Sequence, residues 1–160
     1  MTQMFKYSLV YALRSAEHPL AKHVASCSVA LGTIPFRPHV TARHSMSFDE
    51  AMSLHRVFKE HYDVPCIHCL NAINITSTML FNANGKRVNF YALEQPVLLN
   101  GLRVPGLHVS LAYKVGCPFT LSEMNKVSPW LGPLLEPSDL SMTIWSCHAK
   151  SPRFWRKVLT

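Results

Sequence analysis

Phe36-Arg37-Pro38-His39-Val40-Thr41-Ala42 and Gly106-Leu107-His108-Val109-Ser110-Leu111-Ala112-Tyr113 carry the same tripeptide pattern of histidine, valine and a hydroxyl residue. Both lie in short apolar runs of strand type, where positions i and i+2 point to one face. His39 then shares a face with Thr41, and His108 with Ser110, while Val40 and Val109 point into the core. Two such strands meeting across a cleft put two imidazoles and two hydroxyls around one small volume.

The residues around these motifs predict the remaining elements. Residues 6–13 alternate as a first strand, and Pro19 suits the first turn of a helix through about Ala30, stopped by Gly32. The first motif opens a strand over 39–45. Ser47-Phe48-Asp49-Glu50 is a capping box, in which Ser47 accepts from the third helical N–H and Glu50 reaches back. Its helix runs to about Tyr62, with Ala51, Leu54, Val57, Phe58 and Tyr62 as the apolar stripe and His55 and His61 in solvent. Residues 66–80 read as one bent strand, and Asn82-Ala83-Asn84-Gly85 as a hairpin turn. Residues 88–93 return, 97–102 continue the meander, and 107–113 form the strand of the second motif. Thr120-Leu121-Ser122-Glu123 repeats the capping box, opening a helix that Pro129, Gly132 and Pro133 break. Residues 140–148 alternate, and 154–159 pair with them across Lys150-Ser151-Pro152. Strands and helices do not alternate one for one, which argues for a single antiparallel α+β domain over 1–160. The order of histidine strand, capped helix and strand occurs twice.

Composition bounds the partners. In 160 residues, 48% are apolar and 16% charged, enough for one packed core and against disorder. No apolar stretch nears the roughly 20 residues of a membrane span, and residues 1–5 do not resemble a secretory signal. The five cysteines, Cys27, Cys66, Cys69, Cys117 and Cys147, are scattered and odd in number, as reduced thiols of a cytoplasmic protein would be. Cys66-Ile67-His68-Cys69 has the spacing of half a zinc site. No second pair completes it, and on a strand the two thiols face opposite sides. A net charge of +7 favours anionic partners, but there is no dense basic run. The expected ligand is a nucleotide or short oligonucleotide, with no membrane and no obligatory protein partner.

Two imidazoles and two hydroxyls suit phosphodiester hydrolysis without a metal or other cofactor. One neutral imidazole takes a proton from the attacking water or ribose hydroxyl, and the other, protonated, donates to the leaving oxygen. Thr41 and Ser110 donate to the non-bridging phosphate oxygens as charge builds up. With nine histidines in the chain, a single His-x-Thr has little meaning, whereas two in matching contexts carry more. Pro38-His39-Val40-Thr41 and Leu107-His108-Val109-Ser110-Leu111 resemble the two signature motifs of the two-histidine (2H) phosphoesterase superfamily. Cyclic phosphodiesterases, RNA 2′,5′ ligase-like proteins and viral or phage enzymes that destroy nucleotide immune signals belong to it. The resemblance implies a bilobal fold of two related antiparallel sheets around a central groove that holds the four motif side chains. Ser110 stands where that family often has threonine, which preserves the hydrogen bond.

Candidate substrate-binding residues surround the motifs. Tyr113 is read on the Ser110 face, although a bend could reverse it, and Tyr7 and Tyr11 share a face of the first strand. The resemblance places Trp155 near the groove and turns Phe154 away. Arg43, two residues beyond Thr41, shares the His39 face, and Arg37 flanks the first motif, as Lys114 and Arg153 flank the second motif and last turn. Trp130 and Trp145 are expected in the core, as is His148, and His44 opposite His39. The open substrates are a 2′,3′-cyclic phosphate, a 2′,5′-oligoadenylate and a cyclic di- or trinucleotide. A nucleotide- or RNA-binding module without turnover would use the same basic groove. A purely structural protein would hold His39 and His108 far apart.

Overall fold

The computed structural model describes residues 6–81, 84–147 and 155–159. The expected turn residues Asn82 and Ala83, the turn at Lys150-Ser151-Pro152, and His148, Arg153 and Phe154 lie outside them. The elements are β1 (Tyr7–Leu13), α1 (Pro19–Leu31), β2 (His39–Met46), α2 (Phe48–His61), β3 (Ile67–Cys69), β4 (Asn74–Phe81), β5 (Arg87–Leu99), β6 (Leu102–Val115), α3 (Leu121–Met124), β7 (Leu140–Ser146) and β8 (Arg156–Leu159). Every strand pair is antiparallel, so the chain is α+β. The eight strands form one hydrogen-bonded sheet in the order β3-β5-β6-β2-β1-β7-β8, with β4 also on β5. No helix of the described residues is long and apolar enough to cross a membrane.

Local chemistry sets most of the boundaries. Pro19 begins α1, and Gly32, at φ 64°, ends it in the left-handed conformation that glycine adopts without cost. Both capping boxes close: the Ser47 hydroxyl accepts from the Glu50 N–H, and the Thr120 hydroxyl accepts from the Glu123 N–H. In each box the glutamate accepts in return from the cap residue's N–H. Helix α3 is a single turn, so the second half repeats the order of the first with a much shorter helix. Along α2, Ala51 and Phe58 are buried while Val57 is 47% exposed and falls outside the expected stripe.

Two expectations about the middle of the chain are corrected. Residues 66–80 are not one bent strand but β3 and β4, which share the same edge of β5. The break falls opposite Gln95-Pro96. Proline brings no N–H to the ladder, and the buried Gln95 side chain donates to the Leu70 and Trp130 carbonyls and accepts from the Trp130 N–H, each at 2.8 Å. Likewise, 88–93 and 97–102 are not successive meander strands. Strand β5 runs through Pro96 to Leu99 and turns at Asn100-Gly101 into β6. Both turn residues have positive φ (51° and 79°), and Leu99 pairs with Leu102, as the twist of a two-residue hairpin requires.

The main core lies on one face of the sheet. Leu9, Tyr11, Val40, Leu93, Val109 and Leu111 pack there under Leu20 and Val24 of α1 and Ala51 and Phe58 of α2. Burying each large aliphatic side chain is worth about 1.5–3 kcal/mol, which pins Val40 and Val109 to this face. Their neighbours in sequence therefore point to the other face. That face carries a smaller aromatic cluster around Val10, Phe90, Trp145 and Trp155.

Candidate active site

Strands β2 and β6 pair through only two rungs, Val40 with Val109 and Thr41 with His108. The same register carried one residue on sets His39 opposite Ser110. His39 and His108 are thus diagonal neighbours on one face, about 7–8 Å apart across the strands. All four motif side chains line one groove of about 290 Å³ and are buried.

The two imidazoles are held by the same local device. His39 Nδ1 donates to the Arg37 carbonyl at 2.6 Å, and His108 Nδ1 donates to the Gly106 carbonyl at 2.7 Å. Each acceptor lies two residues upstream. Arg37 precedes a proline, which restricts it to extended backbone, and Gly106 has φ 83°, a region that side chains disfavour. A proton on Nδ1 leaves Nε2 to face the groove in both rings. Beyond this the rings differ. His39 Nε2 has no hydrogen-bond partner among the described residues, and its ring lies 4.4 Å from that of Trp145. His108 Nε2 lies 3.1 Å from a carboxylate oxygen of Glu94.

His39 is 2% exposed, and its pKa is lowered to about 4, first by burial and further by the charges of His108 and Arg37; the bond to the Arg37 carbonyl opposes the shift. The unfolded chain binds this proton near pH 6.5, the folded protein only near about 4. Stability from keeping His39 neutral is therefore complete above pH 6.5 and is lost as pH falls through about 4, a loss of about 3 kcal/mol. Urea melts at pH 7 and pH 4 should show a smaller pH dependence in His39→Asn by about that amount. Equal pH dependence in variant and parent would remove His39 as its source.

The Ser110 hydroxyl is 1% exposed and has no hydrogen-bond partner among the described residues. The Trp145 indole N–H, also in the groove lining, is likewise without an acceptor. Buried donors left unpaired cost about 1–3 kcal/mol each, and here both line a groove with room for a ligand. Tyr113 and Trp155 stand in the same lining, with ring centroids 5.6 Å apart. Tyr113 also packs on Phe36 at 4.6 Å and Phe90 at 5.2 Å. Burial pushes its phenol well above the ordinary value, and the nearby Ser110 hydroxyl opposes the shift without reaching hydrogen-bond geometry.

Tyr113 reaches this face through a bulge. It lies three residues beyond Ser110, which plain alternation puts on the other side. Strand β6 advances two residues for one of β5, from Glu94–Ser110 to Leu93–Ala112. Leu111 and Ala112 both enter the core, and Tyr113 returns to the groove.

Several expected residues lie elsewhere. Tyr11 is in the core against Phe58, at 6.3 Å, and Tyr7 packs on Phe48 at 5.3 Å. The positions of β1 that line the groove are Ser8 and Val10, so alternation commits both tyrosines to the helix side. Arg43 is exposed and does not line the groove. Irregular pairing of β2 with β1 after Thr41 breaks the alternation, and His44 takes the groove-facing place contrary to expectation. Arg37 is exposed at the rim, its guanidinium 5.5 Å from the centre of the Trp145 ring, and serves His39 through its carbonyl. Lys114 is bound to Glu123 at 2.6 Å. Trp130 is in the core as expected, but Trp145 is a groove residue, because it pairs with Ser8 on the groove face of β1.

Glu94 is a site residue that the sequence does not point to, since the strand expected over 88–93 stops just before it and β5 runs on to Leu99. A regular hairpin centred on Asn100-Gly101 sets Glu94 opposite residue 107, on the face away from His108. The irregular register between Leu98–Arg103 and Pro96–His108 puts Glu94 opposite Ser110 instead, on the face of His108, and nothing within the strand signals that shift. The chain matches no protein-family model, no curated protein and no solved structure.

Proposed function

We propose that the chain is a metal-independent phosphodiesterase of the two-histidine type, acting on a small cyclic or short oligomeric nucleotide. The observation that carries this reading is the pairing of two histidine–hydroxyl units on adjacent strands, facing one groove with the Ser110 hydroxyl still unpartnered. One imidazole draws the proton from the attacking oxygen, a P–O bond forms and the opposite P–O bond breaks. The other imidazole protonates the leaving oxygen. Thr41 and Ser110 donate to the non-bridging oxygens, and the unpaired Trp145 N–H is a further donor in the same lining.

Tyr113 and Trp155 provide the base-binding wall, each stacked base being worth roughly 1–3 kcal/mol. In this reading the halves β2-β1-β7-β8 and β6-β5 with β3 and β4, which meet at the two-rung seam, correspond to the two lobes that the resemblance to 2H phosphoesterases implies. The scattered thiols fit a cytoplasmic protein.

The test is a panel of 2′,3′-cyclic, 2′,5′-linked and 3′,5′-linked cyclic and linear nucleotides, with and without EDTA, with products separated by chromatography. At least one linkage is cleaved, at a rate that EDTA leaves unchanged. Complete loss in EDTA restored by a divalent ion overturns the metal-independent mechanism. Tight binding without turnover of any member replaces the enzyme by a nucleotide-binding module.

A further inference from the structure

From the His108–Glu94 contact we infer that Glu94 is a positioning residue that makes His108 the general acid and leaves His39 as the general base. The inference rests on the phosphodiesterase reading and assigns roles that the paired motifs leave symmetrical.

Each ring has one nitrogen committed to a backbone carbonyl, so the roles depend on Nε2. At His108, Nε2 lies 3.1 Å from Glu94 Oε2, with both side chains largely shielded from water. A carbonyl and a carboxylate both accept, so only an imidazolium, with two N–H donors, satisfies both partners of His108. At His39 there is one acceptor and an open Nε2, the arrangement of a neutral ring with its lone pair towards the groove. The other titratable groups facing this corner are His39 and His44 of β2, Tyr113 of β6 and Cys147 beyond β7. Burial pushes the Tyr113 phenol up, and the Cys147 thiol up to about 12. Glu94 is therefore the one anion at His108 among the described residues lining the groove.

In the reaction His39 Nε2 accepts the proton of the attacking water or ribose hydroxyl as its oxygen bonds to phosphorus. The departing oxygen, far more basic than a carboxylate, takes the Nε2 proton of His108. His39 ends protonated and His108 neutral, and exchange with solvent resets the pair. The same carboxylate repels an incoming phosphodiester, so its effects on binding and on turnover have opposite signs.

Glu94→Gln keeps the size and an acceptor oxygen but removes the charge. It should lower kcat about 10-fold or more while KM stays level or falls, and the alkaline limb of the pH–rate profile should move to lower pH. Glu94→Asp should recover part of kcat. Nitrogen-15 NMR of the histidine rings gives a readout that needs no turnover. At any one pH it should show less of the doubly protonated form of His108 in Glu94→Gln than in the parent protein. Unchanged kcat with raised KM, an unmoved pH profile or unaltered His108 signals would each overturn the role of Glu94 and leave a demonstrated phosphodiesterase standing. Absence of turnover on every nucleotide tested, with the His108 signals responding as stated, would sink the enzyme reading and its acid and base roles, and preserve the ion pair alone.

Discussion

Replacing His39 or His108 by alanine lowers kcat by roughly 10²- to 10⁴-fold, the range for loss of a positioned general acid or base. The two losses do not add. Proton removal and proton donation belong to one displacement, so the double variant is little worse than the poorer single one. Folding survives, because the rungs that join β2 to β6 are backbone pairs whose anchors in the core are Val40 and Val109. Steady-state rates on the cleaved nucleotide, with far-UV circular dichroism as the control for folding, check this. A folded variant with near-normal rates would remove that histidine from the chemistry. Additive losses would mean that the two rings act in separate steps.

Thr41→Ala and Ser110→Ala each lower kcat by roughly 10²-fold or more, as removal of a donor to developing oxyanion charge does. An effect on KM alone would reduce the hydroxyls to positioning the bound substrate. Ser110 adds a second signature. Its buried hydroxyl has no hydrogen-bond partner among the described residues, so replacing the hydroxyl by hydrogen removes an uncompensated polar group. Ser110→Ala should therefore melt no lower than the parent, and its Tm should rise if the hydroxyl is strained at rest. Activity lost together with stability would instead mark Ser110 as a structural residue.

The legible parts of the site follow local rules. Two-residue alternation set His39 with Thr41 and His108 with Ser110, and the apolar demand of Val40 and Val109 chose their face. Capping chemistry at Ser47 and Thr120, and the left-handed stop at Gly32, located helix ends from a few residues each. Long-range features were harder to read. The strand expected over 88–93 continues as β5 through Pro96 to Leu99, and beside that proline Gln95 holds the neighbouring chain by side-chain bonds.

What the sequence determined by itself was the antiparallel α+β composition and the two histidine–hydroxyl pairs, since these depend on period and on residues within a turn of one another. Only the tertiary structure decided which other side chains share the groove. An irregular rung shifts alternation by one residue, and nothing inside a single strand records it. Such rungs brought Tyr113 and His44 to the groove and left Arg43 outside, while pairing with Ser8 turned Trp145 towards His39. Glu94 met His108 in the same way, across two strands.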